Sequence, residues 1–301
     1  MIYEFALDPQ LLKTWNACQF LLSQFGNSKG RWISRYPKSW KQLALAAAES
    51  AKEKEYLQIV EALSEIEPNL LPRFHGFDKG MEWLPNAIDE NRIRPFRAII
   101  ANENPEQLQF ILCPDQLSPI VSKQKEPWRV PISMDVRRTA SKLANCVAPL
   151  LRNCKRVLFV DPYFGNVMSR HLVALQEFLR CIASRDTQMA MPQTIEYHTG
   201  DSNKDTNAFA REMEKSIRPY LPAATTLTIV RWREEELHNR YLLTDRGGVT
   251  FGTGLDIDES ANPSEDTVTL LDEQHCLDLL IKYSSESKSL KWLNQIYRLK
   301  A

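Results

Sequence analysis

Residues 237–256 read LHNRYLLTDRGGVTFGTGLD and place a histidine, an arginine, an aspartate and several glycines close together. Side chains two apart in a strand share a face, so His238 and Arg240 are predicted to point the same way. Asp245 is followed by Arg246, Gly247 and Gly248, and this sequence predicts a tight turn into a second strand. The segment therefore predicts a hairpin whose open end brings Gly252 and Thr253 beside the histidine and the arginine.

These residue types suit chemistry on a phosphodiester. Imidazole serves as a nucleophile or as an acid and base near neutral pH, and a guanidinium group matches two oxygens of a phosphate. Glycine lets backbone N–H groups approach an anion closely. We therefore take His238, Arg240 and Asp245 as candidate catalytic residues. Arg240, Gly252 and Thr253 are the candidate phosphate ligands.

The overall charge excludes a generic polyanion binder. The chain has 301 residues, of which 38 are basic and 38 are acidic, and 43% are hydrophobic. That apolar content is enough for one large core or two ordinary ones. Because the net charge is zero, any nucleic-acid site has to arise from the local placement of arginine and lysine.

Cysteine spacing and the N-terminal sequence predict a cytoplasmic protein with reduced thiols. The six cysteines include no C-x-x-C pair, and no Cys/His cluster has the spacing of a zinc site. The first ten residues lack the basic and apolar regions of a secretion signal. No apolar run approaches the roughly 20 residues that span a bilayer. We expect no membrane-spanning segment.

Three regions follow from the pattern along the chain. Residues 1–95 show helical spacing of apolar residues and predict a mainly helical N-terminal region. Residues 96–131 predict two short strands, at 96–101 and 108–113, with a hairpin as one arrangement, and then a proline-rich linker. The third region, 132–301, has a different pattern.

Residues 132–301 alternate between helical and strand patterns, which predicts an α/β domain. The expected helices are 134–152, 166–184, 206–220 and 287–299, and the expected strands include 156–165, 193–198 and 226–232. Such alternation is typical of a parallel or mixed sheet covered by helices on both faces. The fold class is therefore α/β, with the mixed sheet preceded by the mainly helical region.

The hairpin segment resembles the signature of the phospholipase D superfamily, H-x-K-x4-D followed after six residues by Gly-[Ser/Thr]. This chain has His238, Arg240, Asp245 and then Gly252-Thr253 at those positions. The strand that ends in DPYF (161–164) is also similar to the first core strand of many such domains. The resemblance covers about residues 130–300. It differs from the family in having arginine for lysine, and Leu255 where the family has asparagine.

The resemblance implies a reaction that needs no metal and no cofactor. His238 would attack phosphorus and form a phosphohistidine, and a histidine from a second copy of the motif would protonate the leaving group. Because this chain holds one copy, an active enzyme would be a homodimer through this domain, with His238 of each subunit meeting at a two-fold axis. Asp161, Asp256 and Glu265 are candidate supporting residues.

On this basis we expect a metal-independent nuclease that acts on nucleic acid. Small single-motif members resemble parts of bacterial anti-phage systems, which implies protein partners in a defence complex. A second resemblance keeps an alternative open, because Gly254-Leu255-Asp256 is also similar to the silent phospholipase D-like domain of MIT-domain proteins. In that case the domain would bind an anionic lipid, a nucleic acid or a protein without turnover.

Two simpler interpretations also remain open. His238 is a structural strand histidine if Arg240 pairs with one of the glutamates at 234–236. Residues 29–41, KGRWISRYPKSWK, interleave cations with aromatic rings, a pattern that suits single-stranded nucleic acid. The same pattern also fits aromatic side chains that pack the N-terminal region while the cations are solvated.

Overall fold

The computed structural model describes residues 1–117, 126–164, 168–200, 206–233, 236–284 and 296–301. The chain divides into two compact units, one formed by Ile2–Pro131 and the other containing Ile132–Ala301. The second unit begins where the sequence predicts. Residues 96–131, for which the sequence predicts two short strands and then a proline-rich linker, belong in their described part to the first unit.

The first unit is built on a parallel sheet of five strands. These are β1 (Tyr3–Leu7), β2 (Arg31–Arg35), β3 (Leu71–Pro72), β4 (Ala98–Ile100) and β5 (Ile111–Leu112). Their order across the sheet is β3-β2-β1-β4-β5. The two strands predicted near 96–113 are present as β4 and β5. They pair in parallel, so they do not form a hairpin.

Helices connect these strands. They are α1 (Trp15–Leu22), α2 (Trp40–Ala47), α3 (Glu53–Ile66) and α4 (Trp83–Ile93), and a short 3-10 helix, Pro9–Leu12, follows β1. Helices are present in residues 1–95, but the apolar spacing across 39–68, which predicts one helix, is divided between α2 and α3. A mainly helical region is an incomplete description, because the helices flank a sheet that the sequence analysis did not predict.

Apolar side chains on both faces of this sheet explain why it forms. Phe5 and Leu7 of β1 belong to one core cluster, whereas Ala6 between them belongs to the cluster that contains Trp83 of α4. Successive side chains of a strand point to opposite faces, so the part of β1 that packs into both cores, Phe5 to Leu7, is apolar. Glu4 earlier in the strand is ion-paired with Arg73 and Arg94. Parallel strands covered on both faces have this character.

The aromatic residues of segment 29–41 belong to the core of this unit. Trp32, Tyr36 and Trp40 are each buried. The Trp40 indole nitrogen donates a hydrogen bond to the carbonyl of Leu7 at 2.6 Å. Packing therefore accounts for these rings, and they are not available as stacking surfaces for bases.

The second unit contains a mixed sheet of eight strands. They are β6 (Ser133–Arg137), β7 (Arg156–Val160), β8 (Thr194–Gly200), β9 (Thr226–Trp232), β10 (Tyr241–Thr244), β11 (Gly247–Phe251), β12 (Glu265–Leu270) and β13 (Ile296–Lys300). Their order is β13-β9-β8-β7-β10-β11-β12-β6. The neighbours β7, β8 and β9 are parallel, and the other pairs are antiparallel.

Helices cover this sheet as predicted, which confirms the α/β class. They are α5 (Ala140–Asn153), α6 (Met168–Ala183), α7 (Thr206–Ser216) and α8 (Glu273–Lys282). On one face of β7, Leu158 shares a core with Cys276 of α8. On the other face, Phe159 stacks on Phe178 of α6 with ring centroids 5.4 Å apart. Among the described residues, no helix is long and apolar enough to span a bilayer.

The predicted final helix at 287–299 is wrong in its described part. Residues 296–300 form β13, an edge strand antiparallel to β9. Leu299 is buried and pairs with Leu227. The remainder of the predicted helix, residues 287–295, lies outside the described residues.

Candidate anion-binding site

One edge of the second sheet collects the ends of five strands. Because β10 runs antiparallel to β7 and to β11, the start of β10 lies beside the ends of both neighbours. The end of β6 and the start of β12 meet in the same way, with Arg137 opposite Glu265. Side chains that are remote in sequence therefore converge at this edge.

A pocket of about 390 Å³ opens at this edge and is called the anion pocket below. Its walls come from Arg138, Asp161, Tyr163, Arg170, His171, Arg240, Thr253 and Asp256. Arginines outnumber carboxylates three to two in this set. The pocket therefore combines guanidinium groups, one imidazole and two hydroxyl groups around a common space.

Asp161 anchors the pocket at the end of β7. Its side chain is buried; one carboxylate oxygen accepts the backbone amide of Tyr163 at 2.9 Å and the other accepts that of Leu255 at 2.7 Å. The second oxygen also lies 3.6 Å from Nε2 of His171 on α6. Asp161 therefore ties the strand end to α6 and to the loop after β11.

Asp256 orients two of the three arginines. Its Oδ1 accepts a hydrogen bond from Arg138, and its Oδ2 lies 3.4 Å from the guanidinium of Arg170. Buried charges require such partners, since an unpaired ion in the interior is costly. Asp256 thus compensates two cations without using all of their donors.

Each of the three arginines keeps a buried donor. The Nε atoms of Arg138, Arg170 and Arg240 are buried and have no hydrogen-bond partner among the described residues. Arg240 has its guanidinium over the ring of Tyr163, with 5.0 Å between the guanidinium carbon and the ring centroid. An unsatisfied buried N–H group costs free energy.

Two glycines of the loop after β11 make room for carboxylates. A Cβ atom on Gly254 would stand 2.9 Å from Oδ1 of Asp256 and 3.1 Å from Oδ2 of Asp161. A Cβ atom on Gly252 would meet Oδ1 of Asp266 at 2.9 Å. The sequence predicts that Gly252 contacts a phosphate. In the structure both glycines instead leave room for carboxylates of the protein itself.

The acidic support from β12 comes from Asp266, and the proposal of Glu265 for that role was wrong. Glu265 is exposed, whereas Asp266 is buried and accepts the backbone amide of Thr253 at 2.8 Å. Adjacent strand residues point to opposite faces, so one position decides which carboxylate reaches the loop. Asp266 holds the amide of Thr253, and the Thr253 side chain contributes to the pocket wall.

A buried tyrosine lies close to these carboxylates. Tyr197 of β8 is almost fully buried, and its hydroxyl has no hydrogen-bond partner among the described residues. Burial first, and then the negative charges of Asp161 and Asp256, raise the pKa of Tyr197 well above 10. The phenol therefore stays neutral.

The structure separates the predicted catalytic residues. Both His238 and Arg240 precede β10, so the strand begins later than predicted. Arg240 lines the anion pocket, but His238 is exposed and is not part of its wall. Of the glutamates considered as partners of Arg240, those at 234 and 235 lie outside the described residues.

Asp245 has a structural position that contradicts its assignment as a catalytic residue. It occupies the turn between β10 and β11, at the opposite end of these strands from the pocket. Its Oδ1 accepts the backbone amides of Lys155 and Arg156 at 2.7 and 3.0 Å. Asp245 therefore fixes the start of β7.

Sequence reasoning missed several residues of the site. Arg138, Arg170 and His171 carry no motif, and they reach the pocket only because the ends of β6 and β7 meet α6 there. Asp161 was recognised from its position after a buried strand, and Asp256 from its place in the motif. Among the described residues, no group of three or more His, Cys, Asp or Glu side chains is arranged to hold a metal ion.

Comparison with known proteins identifies no family. No protein-family model matches the chain, and no curated protein matches it. A solved structure with some similarity is that of TrmBL2, an archaeal chromatin protein, described as showing a novel mode of DNA binding. The two chains are 12% identical, the match covers 79% of this chain and 83% of the other, and the TM-score is 0.29. A TM-score this low carries no argument about fold or function.

Proposed function

We propose that the anion pocket binds the phosphate of a phosphodiester and that a nucleic-acid strand supplies it. The observation that carries this proposal is the convergence of Arg138, Arg170 and Arg240, each with a buried Nε that lacks a partner among the described residues. Arginine forms paired hydrogen bonds to phosphate oxygens, and these are among the strong ones in proteins.

The carboxylates of the pocket support this function by holding the arginines in place. Asp256 contacts Arg138 and Arg170 before any ligand arrives. Guanidinium groups that are already oriented lose little rotamer freedom on binding, which favours affinity. The arrangement has one more arginine than carboxylate, so a phosphate that enters it would be attracted.

Tyr163 favours nucleic acid over an anionic lipid as the source of the phosphate. Tyr163 lines the pocket and is 48% exposed, and the guanidinium of Arg240 lies over its ring. A base that stacks on an aromatic ring contributes about 1–3 kcal/mol in single-stranded complexes. A lipid head group has no planar ring for this contact.

Fluorescence anisotropy with labelled single-stranded DNA and RNA tests the proposal. We expect binding that weakens as salt rises, because phosphate contacts release counterions. Arg240→Gln should weaken it about tenfold or more, the loss of one charge-assisted contact. Arg218→Gln is the matched control, since Arg218 is exposed on the same unit and pairs with Glu214. Tyr163→Ala should weaken oligonucleotide binding as well.

Three outcomes would overturn this proposal. They are no binding to either oligonucleotide, equal losses in Arg240→Gln and Arg218→Gln, and tighter binding to phosphatidylserine vesicles than to oligonucleotides. Tighter binding to the vesicles would instead assign a lipid phosphate as the ligand of the pocket.

We propose phosphodiester hydrolysis as a second candidate function, on the position of His238. This exposed histidine stands two residues before Arg240, which lines the pocket. An imidazole nitrogen of one His238 would attack phosphorus, and the P–O bond to the leaving group would break. The protonated His238 of a second subunit would donate its proton to the leaving oxygen. Water would then hydrolyse the P–N bond.

A nuclease assay in EDTA, with sedimentation analysis in parallel, separates the two candidates. Hydrolysis through His238 predicts cleavage by a dimer that is lost in His238→Ala and kept in His275→Ala, whose histidine is exposed elsewhere on the unit. Binding without cleavage by a folded dimer would leave the pocket as a binding module. A monomer that cleaves with full activity would contradict the two-histidine mechanism.

A further inference from the structure

The first unit has a pocket of its own, of about 700 Å³, at the carboxyl ends of its parallel strands. Strands β2 and β3 lie on one side of β1, and β4 and β5 lie on the other, so the strand order reverses between β1 and β4. In open parallel sheets the crevice at such a reversal is where ligands bind. Asp8 follows β1 and Ala101 follows β4, and both line this pocket.

Asp8 is the buried charged group of this pocket. Its residue is 9% exposed. Among the described residues, the backbone amide of Gln10 is the one hydrogen-bond donor to its carboxylate, at 2.9 Å. A carboxylate accepts several hydrogen bonds, so Asp8 can accept further donors from a ligand in the pocket. Burial, and to a smaller extent the charge of Glu82, raise the pKa of Asp8 despite that hydrogen bond.

An apolar wall faces this carboxylate. Leu43, Phe77 and Leu84 line the pocket and are partly exposed, and Trp83 is buried beside them. The indole nitrogen of Trp83 donates to the carbonyl of Tyr36 at 3.0 Å, which fixes the ring. Small-molecule sites commonly combine such apolar walls with one or a few polar groups.

The charges around the pocket argue against a phosphate ligand. Asp8, Glu82 and Glu103 line it, against Lys13 and Lys79, and both lysines are exposed. The chain after β1 continues as Asp8-Pro9, without the glycine-rich turn that cradles phosphates. The 3-10 helix that begins there already has its amide capped by Asp8.

We propose that this pocket binds a small organic amine, with its ammonium group on Asp8 and its apolar body against Leu43, Phe77 and Leu84. The ammonium group supplies further hydrogen-bond donors to the carboxylate. It also compensates the negative charge of Asp8 and Glu82. The site lies within the first unit, so it does not depend on the function proposed for the anion pocket.

Ligand-observed saturation-transfer NMR on the full chain tests this site with three probes of one shape. All three probes contain the same indole ring. They differ in the group at the end of the side chain, which is an ammonium in tryptamine, a hydroxyl in tryptophol and a carboxylate in indole-3-propionate. We expect tryptamine to bind about tenfold or more tightly than tryptophol, as one charge-assisted hydrogen bond predicts. We expect indole-3-propionate not to bind.

Two variants locate the bound probe. Asp8→Asn keeps an oxygen that can accept the amide of Gln10 but removes the charge. The affinity for tryptamine should therefore fall to that for tryptophol. Asp115→Asn, at an exposed aspartate of the same unit that is not in the pocket wall, should bind like the wild type. Phe77→Ala should weaken tryptamine and tryptophol alike, and it provides a second test if Asp8→Asn folds poorly.

The proposal is overturned if tryptamine does not bind. It is equally overturned if the three probes bind alike, or if Asp8→Asn and Phe77→Ala both bind tryptamine as the wild type does. Preferred binding of indole-3-propionate would assign the pocket to an anion and would also reject the amine.

Discussion

At Gly254 the absence of a side chain lets two carboxylates approach one backbone position. Asp161 and Asp256 each come within 3.1 Å of where a Cβ atom would stand, and neither is free to move, since both hold other groups. We expect Gly254→Ala to destabilise the protein by about 1–3 kcal/mol through overpacking. It should also weaken oligonucleotide binding, because Asp256 orients two of the arginines.

Urea unfolding and anisotropy measure the two effects of Gly254→Ala. Gly76→Ala is the control, because a Cβ atom there meets nothing within 4 Å. Equal stability of the two variants would show that the carboxylates of the anion pocket adapt more freely than their contacts indicate.

We expect His198 to make the stability of the second unit sensitive to acid. It is fully buried in β8, its Nδ1 accepts from the Trp232 indole at 3.0 Å, and its Nε2 lies 2.9 Å from a Glu196 carboxylate oxygen. Burial lowers the pKa of His198, although the contact with Glu196 opposes this. A group with a lowered folded-state pKa gives stability that is complete above the unfolded pKa, near 6.5, and lost as pH falls.

We therefore expect the free energy of unfolding to decline below about pH 6.5, with a smaller decline in His198→Gln. Urea titrations at a series of pH values measure this difference. His275→Gln, at an exposed histidine, should keep the wild-type pH dependence. A wild-type dependence retained in His198→Gln would assign the acid sensitivity to other groups.

The sequence predicted part of the anion pocket at the level of single residues. Arg240, Thr253, Asp161 and Asp256 all line it. His238 and Asp245 share the same motif but lie apart, because the strand begins only at Tyr241 and its turn lies at the far end. Spacing along a strand fixes which residues share a face. It does not fix where the strand begins.

Among the elements, the hairpin of β10 and β11 shows what Asp245 does. The turn is two residues long, Asp245 and Arg246, and Gly247 after it has a φ of 122°. The Asp245 carboxylate accepts hydrogen bonds from two backbone amides at the start of β7. Asp245→Ala should lower stability by about 1 kcal/mol, since these hydrogen bonds are exposed. Oligonucleotide binding by the folded protein should be unchanged.

Thermal unfolding and anisotropy measured on Asp245→Ala test this assignment. Glu265→Ala, which removes an exposed carboxylate of β12, should alter neither stability nor binding by much. Loss of binding in folded Asp245→Ala would return the aspartate to the functional site.

Elements that sequence patterns missed are short strands stabilised by their neighbours. β1 and β2 are five residues each, and β13 was interpreted as the end of a helix. The apolar spacing of 287–299 fits a helix, but residues 296–300 pair with the open edge of β9. Pairing with a sheet that is distant in sequence overrides local periodicity. α6 and β7 lie where the sequence patterns predict them, because burial and periodicity agree there. The helix predicted at 134–152 begins only at Ala140, since residues 133–137 form β6 and pair with β12.

At the scale of the whole molecule, each unit has its own core and its own pocket. Because the units are compact separately, we expect calorimetry to resolve two unfolding transitions. A single-stranded oligonucleotide should raise one transition temperature and tryptamine the other, since a ligand stabilises the unit that binds it. Tryptophol, which has a hydroxyl in place of the ammonium group, is the control for tryptamine.

A single transition raised by both ligands would show that the two units unfold together. Two transitions that both respond to the same ligand would instead contradict the assignment of one pocket to each unit.

Because the chain is synthesised from its N-terminus, the two pockets can form at different times during translation. The first unit ends at Pro131, so its sheet and its pocket are complete in sequence before the second unit has been translated. The anion pocket joins Arg138 to Asp256, which are 118 residues apart, and its loop needs Asp266 as well. Domains fold as units, the N-terminal one first, as the chain emerges. On the two binding proposals, a ribosome-bound chain should bind an amine before its phosphate site has formed.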